Sequence, residues 1–160
     1  MRDAQIRKLT RAAVIGALYA GVTLLAAPIS FGPLQCRVSE ALCVLPWFFP
    51  EASWGLFAGC LLSNLLGGAG ALDVIFGSLT TLLAGLLTAR IRSRWLACLP
   101  PVALNGLIVG AVLAYTGAPG AFWAAYPLLA GQVFVGEAAA VYLLGLPLMT
   151  LIPKILPKSH

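Results

Sequence analysis

The chain has 160 residues, of which 61% are hydrophobic and only 9% charged, with a mean hydropathy of +0.97 and a net charge of +5. No soluble fold covers that much apolar surface, so the composition specifies an integral membrane protein. A helix crossing a ~30 Å hydrocarbon core uses about 20 residues, so six spans with short loops consume nearly the whole chain and leave no room for a soluble catalytic or nucleotide-binding domain.

Taken in order, the first apolar run predicts a helix over about 12–27, ended by Pro28 and a Phe31-Gly32-Pro33 turn. Its basic start superficially resembles a signal peptide, but the run is long and more membrane segments follow, so it reads as the first span. Ala13, Ala17 and Gly21 repeat at every fourth position, as do Ala12, Gly16 and Ala20. Such rows permit close helix contact, either with the chain's own helices or with another membrane subunit. Residues 38–49 are short for a span: a tilted second helix, with Pro46 inside it, or one arm of a re-entrant hairpin. Pro50 suits the start of a third helix over 52–66, and Gly67, Gly68 and Gly70 form the next loop. Helices over 72–90, 96–115 and 122–152 complete the set, the last too long for one upright span, so either it tilts or an interfacial piece precedes Pro127. Length favours six spans in one membrane domain covering 1–160, an all-α bundle.

The Lys and Arg residues form three clusters: Arg2, Arg7, Lys8 and Arg11; Arg90, Arg92 and Arg94; Lys154 and Lys158. They read as topology rather than nucleic-acid binding. With both termini cytoplasmic, all the basic residues except Arg37 lie inside. The cysteines Cys36, Cys43, Cys60 and Cys98 show no Cys-x-x-Cys spacing and read as small buried residues. No metal-ligand constellation, no phosphate-cradling glycine motif and no internal histidine point to catalysis.

Intramembrane polar groups are costly and are functional candidates by default. Glu137 lies far from either end of its helix, where it is a ligand or coupling group or else a structural carboxyl. Arg37 and Glu40, three apart, can form an intrahelical ion pair; as the lone outer cation, Arg37 is held by Glu40 or by Asp73. Asp73 also suits a helix cap, and Asn64 and Asn105 suit interhelical hydrogen bonding. On this topology the 31–40 stretch, Asn64, Asp73 and the 116–126 region fall in the outer half, with Asn105 and Glu137 near mid-depth. The expected cavity opens outward, floored by Asn105 and Glu137 and lidded by the 31–37 loop, with Arg37, Glu40, Asn64 and Asp73 as further candidate binding residues.

The strings FGPLQCRVSEALCVLPWFFPEA, GLFAGCLLSNLLGGAGALDVIFGSLTTLLAG and GEAAAVYLLGLPL resemble the queuosine-precursor transporter family, QueT, whose members are substrate-binding S components of energy-coupling factor (ECF) transporters. The resemblance implies a six-helix, non-enzymatic S component in the bacterial plasma membrane. It would capture a 7-deazaguanine from outside and deliver it with a transmembrane coupling protein and two cytoplasmic ATPases, with no cofactor of its own. It also implies that Ala13, Ala17 and Gly21 face the coupling protein. The position of Cys36 is often aromatic in that family, so a stacking role there does not carry over. A 7-deazaguanine offers a ring N–H beside an exocyclic amine, which a carboxylate accepts as a pair; a carbonyl for Gln35, Asn105 or a backbone amide; and a flat face for Phe31, Trp47, Trp123 or Tyr126. Its 7-aminomethyl form adds a cation for a second carboxylate among Glu40, Asp73 and Glu137. The rival readings are an S component for another vitamin or nucleobase, and a proton-coupled carrier that uses Glu137 as its relay.

Overall fold

The computed structural model describes residues 2–30 and 37–155. Among them the chain is all-helical. Three helices are long and apolar enough to cross a membrane: α1 (Arg2–Leu25), α5 (Arg94–Gly117) and α6 (Phe122–Lys154). Three are shorter and apolar: α2 (Val38–Trp47), α3 (Ala52–Leu66) and α4 (Asp73–Thr88). The first helix starts ten residues earlier than the hydropathy pattern suggests, because Arg2 to Arg11 continue it as an exposed basic extension. The last runs unbroken through Pro127, with no separate interfacial piece.

The short second segment is a 3-10 helix over all ten residues. That form rises about 2.0 Å per residue rather than 1.5 Å, so it reaches farther than an α-helix of equal length. Its two ends meet opposite ends of the bundle. At one end the guanidinium of Arg94 lies 5.4 Å from the Trp47 ring centroid, and that of Arg11 lies 4.1 Å from the ring of Phe49 and 2.8 Å from Glu51. At the other, Arg37 faces Asp73.

Helices α1 and α3 approach through backbone. A Cβ added at Gly16 would sit 2.6 Å from the carbonyl oxygen of Gly55, and Gly59 packs on Gly16 in the same way. Without a hydrophobic drive between helices in lipid, such close approach supplies the contact area. The two small-residue rows of α1 therefore separate. Ala12 and Gly16 are buried against α3, while Ala13 and Ala17 are exposed and Gly21 has open space beside it.

Three π-helical stretches interrupt the α-helices: Asp73–Gly77, Asn105–Val109 and Ala139–Gly145. Such widened turns are rare and concentrate at functional sites. Asp73 and Asn105 each open one, and Glu137 lies two residues before the third. The three hydroxyls that directly follow in α4 bond within the helix. Ser78 donates to the Val74 carbonyl at 2.6 Å, Thr80 to Phe76 at 2.6 Å and Thr81 to Gly77 at 3.1 Å.

Gly16→Val should lower the unfolding free energy in detergent by about 1–3 kcal/mol or more, because the backbone itself must move. Gly21→Ala should leave it unchanged or slightly raised. Equal effects at the two positions would show that α1 and α3 do not meet this way.

Candidate functional site

A polar cluster assembles from four helices at the end away from the basic clusters. Arg37, which opens α2, is only 5% exposed. Its Nη2 lies 3.4 Å from Asp73 Oδ2, and its Nη1 donates to the sulfur of Cys60 at 3.8 Å. A buried guanidinium without a counter-ion would cost several kcal/mol, and Asp73 of α4 supplies that charge. Asn64 of α3 ties the two strands of the α3–α4 turn: its Nδ2 donates to the Asp73 carbonyl at 3.3 Å and to Cys60 Sγ at 3.6 Å. The turn itself needs Gly68 at φ +73.

Behind this pair lies a second group. Tyr19 of α1, fully buried, donates its hydroxyl to Glu40 Oε1. The Cys43 thiol donates to Glu40 Oε2 at 2.9 Å, and the hydroxyls of Thr23 and Ser39 share a 2.6 Å hydrogen bond. Both Glu40 oxygens are thus engaged by neutral donors.

Among the described residues, Asn64 Oδ1 and Asp73 Oδ1 are buried acceptors with no hydrogen-bond partner. Gly77 lets these side chains pack closely on α4, since a Cβ there would lie 3.3 Å from both Asp73 Oδ1 and Asn64 Nδ2. A pocket of about 220 Å³ adjoins Asp73, walled by the Gly67–Gly70 turn and by Val112, Leu113 and Thr116 of α5.

The structure brings Arg37, Asn64 and Asp73 into one network, with Glu40 beside it. The ion pair it shows for Arg37 is with Asp73; Glu40 receives Tyr19 and Cys43. Asp73 makes no capping bond, because Ala71 and Leu72 already lie in the helical turn before it. Glu137 is 3% exposed and lies near Cys43 of α2. Asn105 bonds within its own helix, donating to the Pro101 carbonyl at 3.0 Å. Trp47 sits at the opposite, basic end, against Arg94. Trp123 is 82% exposed and packs edge-on to Phe122. Tyr126 stacks on Phe122 at 5.4 Å and donates to the Leu107 carbonyl. Gln35, with Phe31 and Cys36, lies outside the described residues.

Sequence reasoning passed over Tyr19 and Thr23, gave no role to Ser39 although it stands among the polar residues of the 31–52 stretch, and read Cys43 and Cys60 only as small buried residues. Cys43 and Cys60 are indeed buried and unpaired, yet both also make polar contacts. For α1 a signal was present: Ala12, Ile15, Gly16, Tyr19 and Thr23 share one helical face, and Tyr19 and Thr23 are the hydroxyls on it.

An all-helical chain with several membrane-grade helices and a charged network sealed among them is a multi-pass membrane protein. This chain belongs to the QueT transporter family, matching it over residues 9–154. A curated relative, the queuosine precursor transporter QueT of Lactococcus lactis subsp. cremoris, is 34% identical over 84 residues, covering 51% of this chain and 49% of that protein. The match thus spans about half the length of the curated relative. No solved structure matches the chain.

Asp73→Asn should destabilise the protein in detergent by about 3 kcal/mol, since it strands the Arg37 charge. The double change Arg37→Met with Asp73→Leu should cost less than the single one, as read by chemical denaturation. A double variant less stable than Asp73→Asn would contradict a desolvated pair.

Proposed function

We propose that the chain is the substrate-binding S component of an ECF-type importer that captures a queuosine precursor of the 7-deazaguanine class. The observation that carries this reading is the pair of unpartnered buried acceptors, Asp73 Oδ1 and Asn64 Oδ1, beside Arg37 and next to the 220 Å³ pocket. Two adjacent acceptors suit the ring N–H and exocyclic amine of a deazaguanine. A guanidinium donor suits its carbonyl. Glu40 and Glu137 are the further acids available to a 7-aminomethyl cation. Asn105, Trp123, Tyr126, Trp47 and Gln35 remain candidates.

In this reading the six helices all span the bacterial plasma membrane, with both termini and the basic clusters cytoplasmic and the Arg37–Asp73 end outside. The contacts of α2 with opposite ends of the bundle support a crossing rather than a re-entrant hairpin. The exposed Ala13, Ala17 and Gly21 face of α1 docks the transmembrane coupling protein, which works with two cytoplasmic ATPases. The chain itself uses no cofactor.

Purified protein should bind 7-cyano-7-deazaguanine, 7-aminomethyl-7-deazaguanine or queuine at least about 100-fold more tightly than biotin or riboflavin, because a site built on buried hydrogen bonds rejects ligands that leave them unmade. Tighter binding of biotin, riboflavin or guanine would overturn the substrate class. Ala17→Leu should leave that affinity intact and weaken assembly with the coupling subunit; unaltered assembly would remove α1 from the docking surface. The buried Glu137 favours one rival, a proton-coupled carrier. That rival requires uptake into vesicles holding this chain alone, driven by a proton gradient and indifferent to ATP.

A further inference from the structure

Helix α1 contributes no residue to the Arg37–Asp73 pair, yet it grips the element that carries Arg37. The first turn of α2 follows Arg37 directly, and two of its residues are bonded to α1: Ser39 to Thr23 at 2.6 Å, and Glu40 to the hydroxyl of Tyr19. Cys43, one turn farther along, closes on the other Glu40 oxygen. Tyr19, Ser39 and Glu40 are all at most 1% exposed. The start of the short helix is thus held by Tyr19 and Thr23 of α1 together with Asp73 and Cys60. Nearer its N-terminus α1 meets α3 through the backbone of Gly16, Gly55 and Gly59, with Ile15 and Leu56 packed in the same core. Ala17 lies two positions from Tyr19 and so faces the opposite way, where it is exposed.

We infer that Tyr19 is a positioning residue of the substrate site. Acting through Glu40, it sets the register of Arg37 against Asp73, and it passes a change in that pair to α1 and its outer face. A ligand that bonds Asp73 Oδ1 and the Arg37 guanidinium draws on both members of the pair, and as Arg37 shifts to meet it the first turn of α2 moves with α1 attached. The hydroxyl is the operative group, because the ring alone would fill the same space without gripping Glu40. This inference rests on the Arg37–Asp73 pair being the substrate site.

The test uses Ala17→Cys as a reporter on the exposed face, read at that peptide by mass spectrometry after maleimide labelling. Cys43, Cys60 and Cys98 are buried. Four backgrounds are compared in the full chain: no further change, Asp73→Asn, Tyr19→Phe, and both. Asp73→Asn should change the labelling rate by about threefold or more, and Tyr19→Phe should shrink that change to less than about 1.5-fold, which is the non-additivity expected of coupled residues. An equal response to Asp73→Asn with or without the hydroxyl, or no response at all, overturns the proposal. Arg37→Lys and Thr23→Val replace either variant that does not give monodisperse protein, with the same two outcomes. A parallel arm adds 7-aminomethyl-7-deazaguanine to the first background, where it should shift labelling as Asp73→Asn does. Failure of that compound to bind defeats the substrate reading, while the four-background comparison still decides the role of Tyr19.

Discussion

A guanidinium inside a low-dielectric bundle must have its counter-ion within a few ångströms, and Arg37 has Asp73 at 3.4 Å. Much of that end of the bundle follows from the pairing. It fixes where α2 begins, it draws the first turn of α4 toward α2, and it requires the α3–α4 turn to be tight enough for Asn64 to reach the Asp73 carbonyl. The π-helical stretch that starts at Asp73 lets α4 present this carboxylate inward while Ser78 and Thr81 settle on their own backbone. One oxygen of the carboxylate is committed to Arg37, and the other has no hydrogen-bond partner. The same group therefore serves packing and remains available to a polar ligand.

The opposite end is built differently. There Arg11 bridges to Glu51 and covers Phe49, and Arg94 covers Trp47. Those cations are partly solvated, so each contact is worth about 1 kcal/mol or less, and their main effect is to align helix ends. Among the described residues, the desolvated ion pair lies at the end with few charges. The bundle thus has a weakly tied basic face and a tightly sealed polar one. Helix α1 links the two, packed by glycine backbone on one side and bare on the other.

The helical, membrane-spanning class was legible from composition, and the family from the strings around Arg37, Asp73 and Glu137. The convergence of Arg37, Asn64 and Asp73 was legible in part, because hydropathy marks polar residues in apolar runs as costly. Which acid meets Arg37 was open, since Glu40 at three residues and Asp73 across the bundle both satisfy the electrostatics. Packing decides it: Tyr19 and Cys43 occupy Glu40, and no local pattern announces a donor from another helix. Trp47 was misleading for a similar reason. A tryptophan in a polar-flanked segment suits either a ligand wall or an interface anchor, and the 3-10 form of α2 carries it to the basic end. The separation of the two small rows on α1 was also illegible, because both have the same spacing and only the partner glycines of α3 tell them apart.

The account stands on the Arg37–Asp73 end of the bundle being where the solute is held. The most direct measurement is mass spectrometry of the small molecule released on denaturing protein purified from cells that make queuosine precursors. A 7-deazaguanine released from the unaltered chain and absent from an equally folded Asp73→Asn preparation is the predicted result. A different molecule, or the same amount released from both preparations, would contradict it.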